Sequence, residues 1–289
     1  MKPTFSIGDF IKMYPDEDAC LKTIFGMRYG NLECCPACAV INSRFYKVKK
    51  RRCFECGQCG HQIYPLAGTI MEGTQIKLTL WFYAIFLFSN CRNGVSAKEL
   101  QRVLGISYPS AWKLGHKIRL LMKQSNEKKL CGEVEIDESL FGPKGKGKRG
   151  WGAAKKVCLF GLVQRGGPVR TIIVPDRKQK TLLPLILANI RKGSRIYSDE
   201  FKVYKILKAT GYRHMNVVHS KYQWREGHCH TNTKEGHWSN LKKMTFGTFT
   251  WISSKYLQCY IDEFDFRYNN RDGADVFEKL LETIANRPQ

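Results

Sequence analysis

Acidic side chains are scarce in this chain: 25 Asp and Glu stand against 48 Lys and Arg, giving a formal net charge of +23 and a sequence pI near 9.6. Self-repulsion on that scale is carried most easily by a protein whose partner is a polyanion. The bases are spread over several segments and form no single juxtamembrane or amphipathic block, which favours nucleic acid over a membrane surface. Long apolar runs are missing too. The most hydrophobic, Leu78 to Phe88, covers eleven residues, well short of the ~20 that a membrane span needs, and it reads as a buried helix. The opening Met1-Lys-Pro-Thr-Phe-Ser-Ile-Gly8 has no continuous apolar stretch, so no secretory signal is expected. The expected address is cytoplasmic, on the nucleoid in a bacterium or in the nucleus of a eukaryote. Internal repeats and low-complexity segments are also lacking.

Cysteine, by contrast, is plentiful. Twelve cysteines in a large basic chain without an export signal point to a reducing compartment, where metal binding outranks disulfides as the reason for clustered thiols. Seven of the twelve fall before residue 72. Cys35-Pro-Ala-Cys38 and Cys56-Gly-Gln-Cys59 are separated by seventeen residues, the spacing of a four-thiolate site for one Zn²⁺ ion. Cys34, Cys53 and His61 lie close enough to be alternative ligands. A closed four-thiolate site leaves no position for substrate, so this zinc is expected to fold the module and take no part in catalysis. Between the two knuckles, Phe45-Tyr-Lys-Val-Lys49 reads as a strand of a hairpin, and Lys47, Lys49, Lys50, Arg51 and Arg52 on that hairpin are expected to face phosphate.

A length of 289 residues suits two or three domains. After a zinc-ribbon segment (1–72) comes a helical block, residues 73–126. Ser96 followed by Glu99 is a capping-box start, Leu100, Val103 and Leu104 form an apolar face, and Gly105-Ile-Ser107 supplies a turn. A second helix then carries Ala111, Trp112, Leu114 and Ile118. This is the pattern of a helix-turn-helix whose second helix can enter a major groove, with Lys113 and Lys117 as candidate DNA contacts; an ordinary helical hairpin fits the same pattern.

From residue 130 to 275 strand and helix signals alternate. Strands are expected at 133–140, 157–163, 169–174, 194–198 and 213–219, and helices at 180–190, 201–210 and 232–244, before a last helix pair from near 254. Three strands, a helix, a strand, a helix, a strand and a helix is the element order of the ribonuclease-H-like fold: α/β, with a mixed five-stranded sheet. Residues 276–289 remain as a helical tail. Between the first two strands lies Gly142 to Lys156, whose bases Lys144, Lys146, Lys148, Arg149, Lys155 and Lys156 meet no acid. Glycine lets such a backbone approach phosphates and the bases neutralise them.

Asp137 sits in the first of these strands and Asp199 just past the fourth. Glu235 follows after thirty-five intervening residues on a helix, with Lys242 seven residues further along the same face. Three carboxylates that converge repel each other unless cations sit between them, so the pattern predicts two Mg²⁺ or Mn²⁺ ions and phosphoryl-transfer chemistry. Asp137 is expected to bridge both ions, with Asp199 on one and Glu235 on the other, and Lys242 to reach a phosphate. Strand alternation puts Glu135 on the face of Asp137 as an accessory ligand, whereas Glu138 and Glu200 read as ordinary surface acids. His228, His230 and His237 are expected to be polar or DNA-facing. Asp262, Glu263 and Asp265 read as a packing and salt-bridge helix with Arg267 and Arg271.

Taken together, these motifs resemble the DDE transposases of the ISXO-like bacterial insertion sequences, a group related to the Merlin transposons. The resemblance runs over nearly the whole chain. It takes in the Cys-x-x-Cys ribbon, Ala67-Gly-Thr-Ile70, Leu80-Trp-Phe-Tyr-Ala-Ile85, Val95-Ser-Ala97 and Val134-Glu-Ile-Asp-Glu138. It continues through Gly147-Lys-Arg-Gly150, Ser198-Asp199, Ser239-Asn-Leu-Lys242 and the segment from Tyr256 to Arg271. What it implies is a metal-dependent enzyme that binds the terminal inverted repeats of its element, as a dimer or larger multimer on double-stranded DNA, and joins those ends to a target. In that group the third acidic position varies among Glu, Asn and His at a fixed interval before the lysine, which here selects Glu235, with Asn232 as the competitor. A nuclease that only hydrolyses, and a DNA-binding regulator with a lapsed site, are the rival readings.

Overall fold

A computed structural model of the chain describes residues 5–123, 128–142, 156–199, 202–216, 232–271 and 275–286, with the side chains of Lys202, Asn216, Asn232 and Glu235 outside that description. It divides into two compact units, Met1–Leu121 with Gly273–Gln289, and Met122–Asp272.

The first unit begins with α1 (Ile7–Met13) and α2 (Glu17–Tyr29). Each has a side-chain N-cap: Ser6 accepts the N–H of Asp9 and Asp16 accepts that of Ala19. A three-stranded antiparallel ribbon follows, β1 (Phe45–Lys47), β2 (Phe54–Cys56) and β3 (Gln62–Ile63). The apolar run becomes α3 (Leu78–Asn90), with seven residues from Leu78 to Phe88 buried. Glu17 ties these parts together, since its Oε1 accepts the Leu78 N–H at 2.6 Å and the Arg52 guanidinium at 2.8 Å. The helix-turn-helix segment is α4 (Ala97–Leu104) and α5 (Tyr108–Met122). Ser96 accepts the Glu99 N–H, Glu99 itself turns to Arg102, and Gly105 ends α4 at φ +64°, a left-handed geometry that glycine adopts without strain. The last helix, α9 (Val276–Asn286), is no free tail. Its Phe277 stacks on Phe5 at 4.9 Å and meets Phe10, Tyr14, Phe82 and Phe86.

The second unit is built on a five-stranded sheet of β4 (Glu133–Phe141), β5 (Val157–Gln164), β6 (Val169–Val174), β7 (Arg195–Ser198) and β8 (Arg213–Asn216), in the order β6-β5-β4-β7-β8. The first three strands are antiparallel, and β7 and β8 run parallel to β4. This is the mixed sheet of the ribonuclease-H-like order. Alternation along β4 sends Val134 and Ile136 into a core with Leu182 and Ile186 of α6 (Gln179–Asn189), together with Tyr204 and Leu207 of a 3₁₀ helix, Lys202–Thr210. The opposite face packs Phe141 and Leu159 against Trp238 and Leu241 of α7 (Asn232–Met244) and Leu257 and Ile261 of α8 (Leu257–Asn269). Positions 217–219 of the expected fifth strand lie outside the described residues.

Candidate active site and sulfur cluster

The sheet register brings the first two acids together. Glu135 on β4 is paired with Tyr197 on the parallel β7. Two positions beyond that pair stand Asp137, in the middle of β4, and Asp199, just past the end of β7, on strands about 4.8 Å apart. Carboxylate oxygens of Asp137, Asp199 and Glu138 all lie within 4.8 Å of one another. Glu138 is therefore no ordinary surface acid. It is 7% exposed and accepts a hydrogen bond from the Tyr204 hydroxyl. Burial, with the charges of Asp199 and Asp137, pushes the Glu138 carboxyl up to about 8. Burial also pushes Asp137 up to about 6; the Trp238 hydrogen bond works against this and the Asp199 charge with it. Carboxyls raised by each other's charge are groups that a divalent cation would ionise again.

Asp137 is held at both oxygens. Oδ1 accepts the backbone N–H of Glu138 at 2.8 Å, and Oδ2 accepts the indole N–H of Trp238 at 2.9 Å. Glu135 shares the face of Asp137 but has a different job from the accessory ligand expected of it. It is fully buried, and it accepts the Thr233 hydroxyl and the Lys234 N–H at 3.0 Å each, at the start of α7. Arg165 binds the same carboxylate at 2.8 Å while lying over the Tyr197 ring. Glu135 thus anchors the N-terminus of the helix that carries Glu235, where the helix dipole favours a negative charge. The Glu235 side chain is outside the described residues; Lys242, seven positions on, is exposed.

Lys234 is the least expected member of the site. It is fully buried, with Nζ 4.0 Å from the centroid of the Trp238 ring and 3.5 Å from the Thr171 hydroxyl. Burial pulls its ammonium down to about 7, against the charges of Asp265, Asp137 and Glu135. Behind it, Asp265 accepts the Thr171 N–H at 2.6 Å and the Thr171 hydroxyl at 3.1 Å, and lies 3.3 Å from His237. His237 is 1% exposed and burial pulls it down to about 4, so it is a core residue and not a DNA-facing one. His228 and His230 lie outside the described residues. Of the late acids, Glu263 does pair with Arg267 at 2.7 Å, whereas Asp265 serves β6. Trp238 and Lys234 bracket Glu235 at three positions after and one before it, and that proximity was the one signal in the sequence that could have singled them out.

The sulfurs of Cys35, Cys38, Cys56 and Cys59 also lie within 4.8 Å of one another. Cys35 and Cys59 are 3.7 Å apart, close to the ~3.8 Å edge of a tetrahedron with Zn–S bonds of about 2.3 Å. Both knuckles have one backbone shape: Ala39 N–H donates to Cys35 O at 2.9 Å and Gly60 N–H to Cys56 O at 3.0 Å, with Ala39 and Gly60 at φ +54° and +72°. Among the alternative ligands, the Cys53 thiol instead faces Gln62.

The candidate DNA contacts divide. Lys49, Lys50, Arg51 and Lys113 are exposed and Lys156 is partly so. Lys47 pairs with Asp18 at 2.9 Å, Arg52 with Glu17, and Lys117 donates to Ile70 O at 2.6 Å, so these three brace the first unit. Lys144, Lys146, Lys148, Arg149 and Lys155 lie outside the described residues. Among the described residues no helix is long and apolar enough to cross a membrane.

A mixed five-stranded sheet with Asp137 on its central strand and Asp199 just past the next, following a cysteine ribbon in the chain, is the frame of a DDE-type transposase domain, and the chain belongs to the ISXO2-like transposases. Residues 129–269 match the ISXO2-like transposase domain and residues 15–62 match the transposase zinc-ribbon domain. The chain is 26% identical, over 94% of its length and 98% of the relative's, to an uncharacterized protein in transposable element ISH50 of Halobacterium salinarum. It is 29% identical, over 36% of its length and 83% of the relative's, to an uncharacterized transposase-like protein of Haemophilus influenzae.

Proposed function

We propose that this protein is a DNA transposase that binds the terminal inverted repeats of its element and carries out metal-dependent cleavage and strand transfer. The observation that carries this reading is the convergence of Asp137, Glu138 and Asp199 on one point within a transposase domain. Three like charges at that spacing are costly by themselves and well suited to hard cations, which take oxygen ligands. Mg²⁺ or Mn²⁺ bound there would supply Lewis acidity for in-line displacement at a phosphodiester. In this reading Asp137, Asp199 and Glu235 would hold the ions. Lys242 holds a phosphate oxygen near the scissile bond.

The four cysteines hold one structural Zn²⁺. Lys49, Lys50 and Arg51 of the ribbon, Lys113 of α5, and the bases Lys144, Lys146, Lys148, Arg149, Lys155 and Lys156 follow the DNA backbone, each contributing to a salt-dependent affinity. Cutting two element ends together calls for a dimer or larger multimer on DNA. The protein works wherever that DNA is, on a bacterial nucleoid or in a nucleus.

The test is incubation with Mg²⁺ and labelled DNA carrying the flanking repeats of its own gene. The parent is expected to yield joined products and Asp137→Ala none. Equal joining by both removes the catalytic assignment. Cutting without joining makes the protein a nuclease, and repeat-specific binding with neither activity makes it a regulator.

A further inference from the structure

The two hydrogen bonds on Asp137 are arranged with a specific economy. An ionised carboxylate oxygen has two lone-pair directions. Each Asp137 oxygen gives one of them to an N–H, Oδ1 to Glu138 and Oδ2 to Trp238, and among the described residues keeps the other. One free lone pair on each oxygen is what a carboxylate needs in order to serve two cations at once. The Glu138 bond is made by the adjoining residue, so the strand supplies it. The Trp238 bond comes from 101 residues away and exists only because α7 delivers the indole to that point.

The indole is itself fixed in place. It is 5% exposed, and the Lys234 ammonium sits on its face 4.0 Å from the ring centroid, a favourable placement for a cation in a dry site. Below them is Gly161, the cross-strand partner of Asp137. A Cβ at Gly161 would stand 1.8 Å from Lys234 Cε and 2.7 Å from Trp238 Cζ2. The strand position facing the carboxylate is thus kept empty for the lysine and indole.

We propose that Trp238 is a positioning residue for divalent-cation binding, its indole N–H fixing the Asp137 carboxylate while leaving one lone pair free on each oxygen. The inference rests on the metal-dependent reading above and names a residue outside the acidic set. Packing between β4 and α7 needs the bulk of the ring, whereas positioning needs the N–H, so the two roles can be separated.

Mn²⁺ binding is measured by electron paramagnetic resonance on the full zinc-loaded chain without DNA, for the parent, Trp238→Phe, Trp238→benzothienylalanine and Asp137→Asn. Benzothienylalanine keeps the bicyclic shape and removes only the N–H, which guards against a Phe variant that folds poorly. The benzothienylalanine protein is expected to keep the thermal midpoint and zinc content of the parent and to bind Mn²⁺ about 10-fold more weakly or worse, the usual cost of losing an outer-shell partner. Unchanged Mn²⁺ affinity in that protein, with binding lost in Asp137→Asn, overturns the positioning role and leaves the metal site standing. Equal Mn²⁺ binding by the parent and Asp137→Asn removes the metal site itself.

Discussion

In the ribbon, four sulfurs come from two short knuckles that repeat one backbone turn, each set by residues four apart. In the sheet unit, the carboxylates of Asp137, on β4, and Asp199, just past β7, are separated by sixty-two positions of sequence. The sulfur cluster is closed by its own local geometry, with an inter-sulfur distance that already suits a tetrahedral ion. The carboxylate cluster is the reverse: strand register brings like charges together, and burial then pushes Asp137 and Glu138 upward. The sulfur cluster is written into the local chain, whereas the carboxylate cluster is written into the topology. The first can be lost with one knuckle. The second depends on everything that holds β4, β7 and α7 in register.

The comparison breaks most readily at the sulfurs. Cys56→Ser is expected to abolish the single zinc per chain and to melt the ribbon, because the binding energy of a structural zinc is folding energy. Metal analysis together with limited proteolysis would read this as zinc loss and new cleavage between residues 30 and 62, while Mn²⁺ binding by the catalytic unit persists. Full zinc retention would mean that the quartet is wrongly assigned.

A smaller effect is expected at Glu135, which supports the carboxylate cluster without belonging to it. Glu135→Ala removes the acceptor of the Lys234 N–H and of the Thr233 hydroxyl and the 2.8 Å partner of Arg165. Arg165 keeps Glu133 at 3.3 Å, so the expected loss is about 1–3 kcal/mol for buried donors left unpaired. Urea denaturation of the full chain checks this. A loss under about 1 kcal/mol would show that apolar contacts alone dock the helix.

The smallest effect sharpens the electrostatic half of the comparison. The Glu138 carboxyl is raised from 4.5 to about 8 by burial and by Asp199 and Asp137. A raised acid favours the folded state in its protonated form. Its contribution is complete below the ordinary carboxylate value and is lost as pH rises through about 8. Glu138→Gln imitates the protonated form at every pH. Without divalent ions, the thermal midpoints of parent and variant should agree near pH 4 and diverge in favour of the variant up to about pH 8, levelling above it. A difference that is flat in pH would sink this account of the cluster.

Much of this molecule could be read from its residues. The alternation of β4, with Val134 and Ile136 between Glu133, Glu135 and Asp137, announced a strand with one polar face, and α7 begins and ends where the sequence pattern put it, at 232 and 244. The cysteine spacing announced its own cluster. What could not be read depends on contacts between distant segments. Alternation alone sends Glu138 to the face opposite Asp137, and its place in the acidic group depends on Asp199, just past the end of β7, and on the Tyr204 hydroxyl. Glu135 looked equivalent to Asp137, but the start of α7 comes down on it. Gly161 looked like an ordinary strand glycine until Lys234 filled its place. A lysine next to a proposed ligand would pass for a solvated charge, yet Lys234 is buried because α7 lies flat on the sheet at that turn.

The docking of α9 beside α2 and α3 has a consequence for synthesis. Phe277 completes an aromatic cluster whose other members, from Phe5 to Phe86, leave the ribosome long before it. Everything between, including the whole five-stranded sheet, is made first. The amino-terminal unit can therefore complete its core only after the whole sheet segment has been made. A chain cut short before α9 would lack Phe277 and leave that aromatic cluster unsealed.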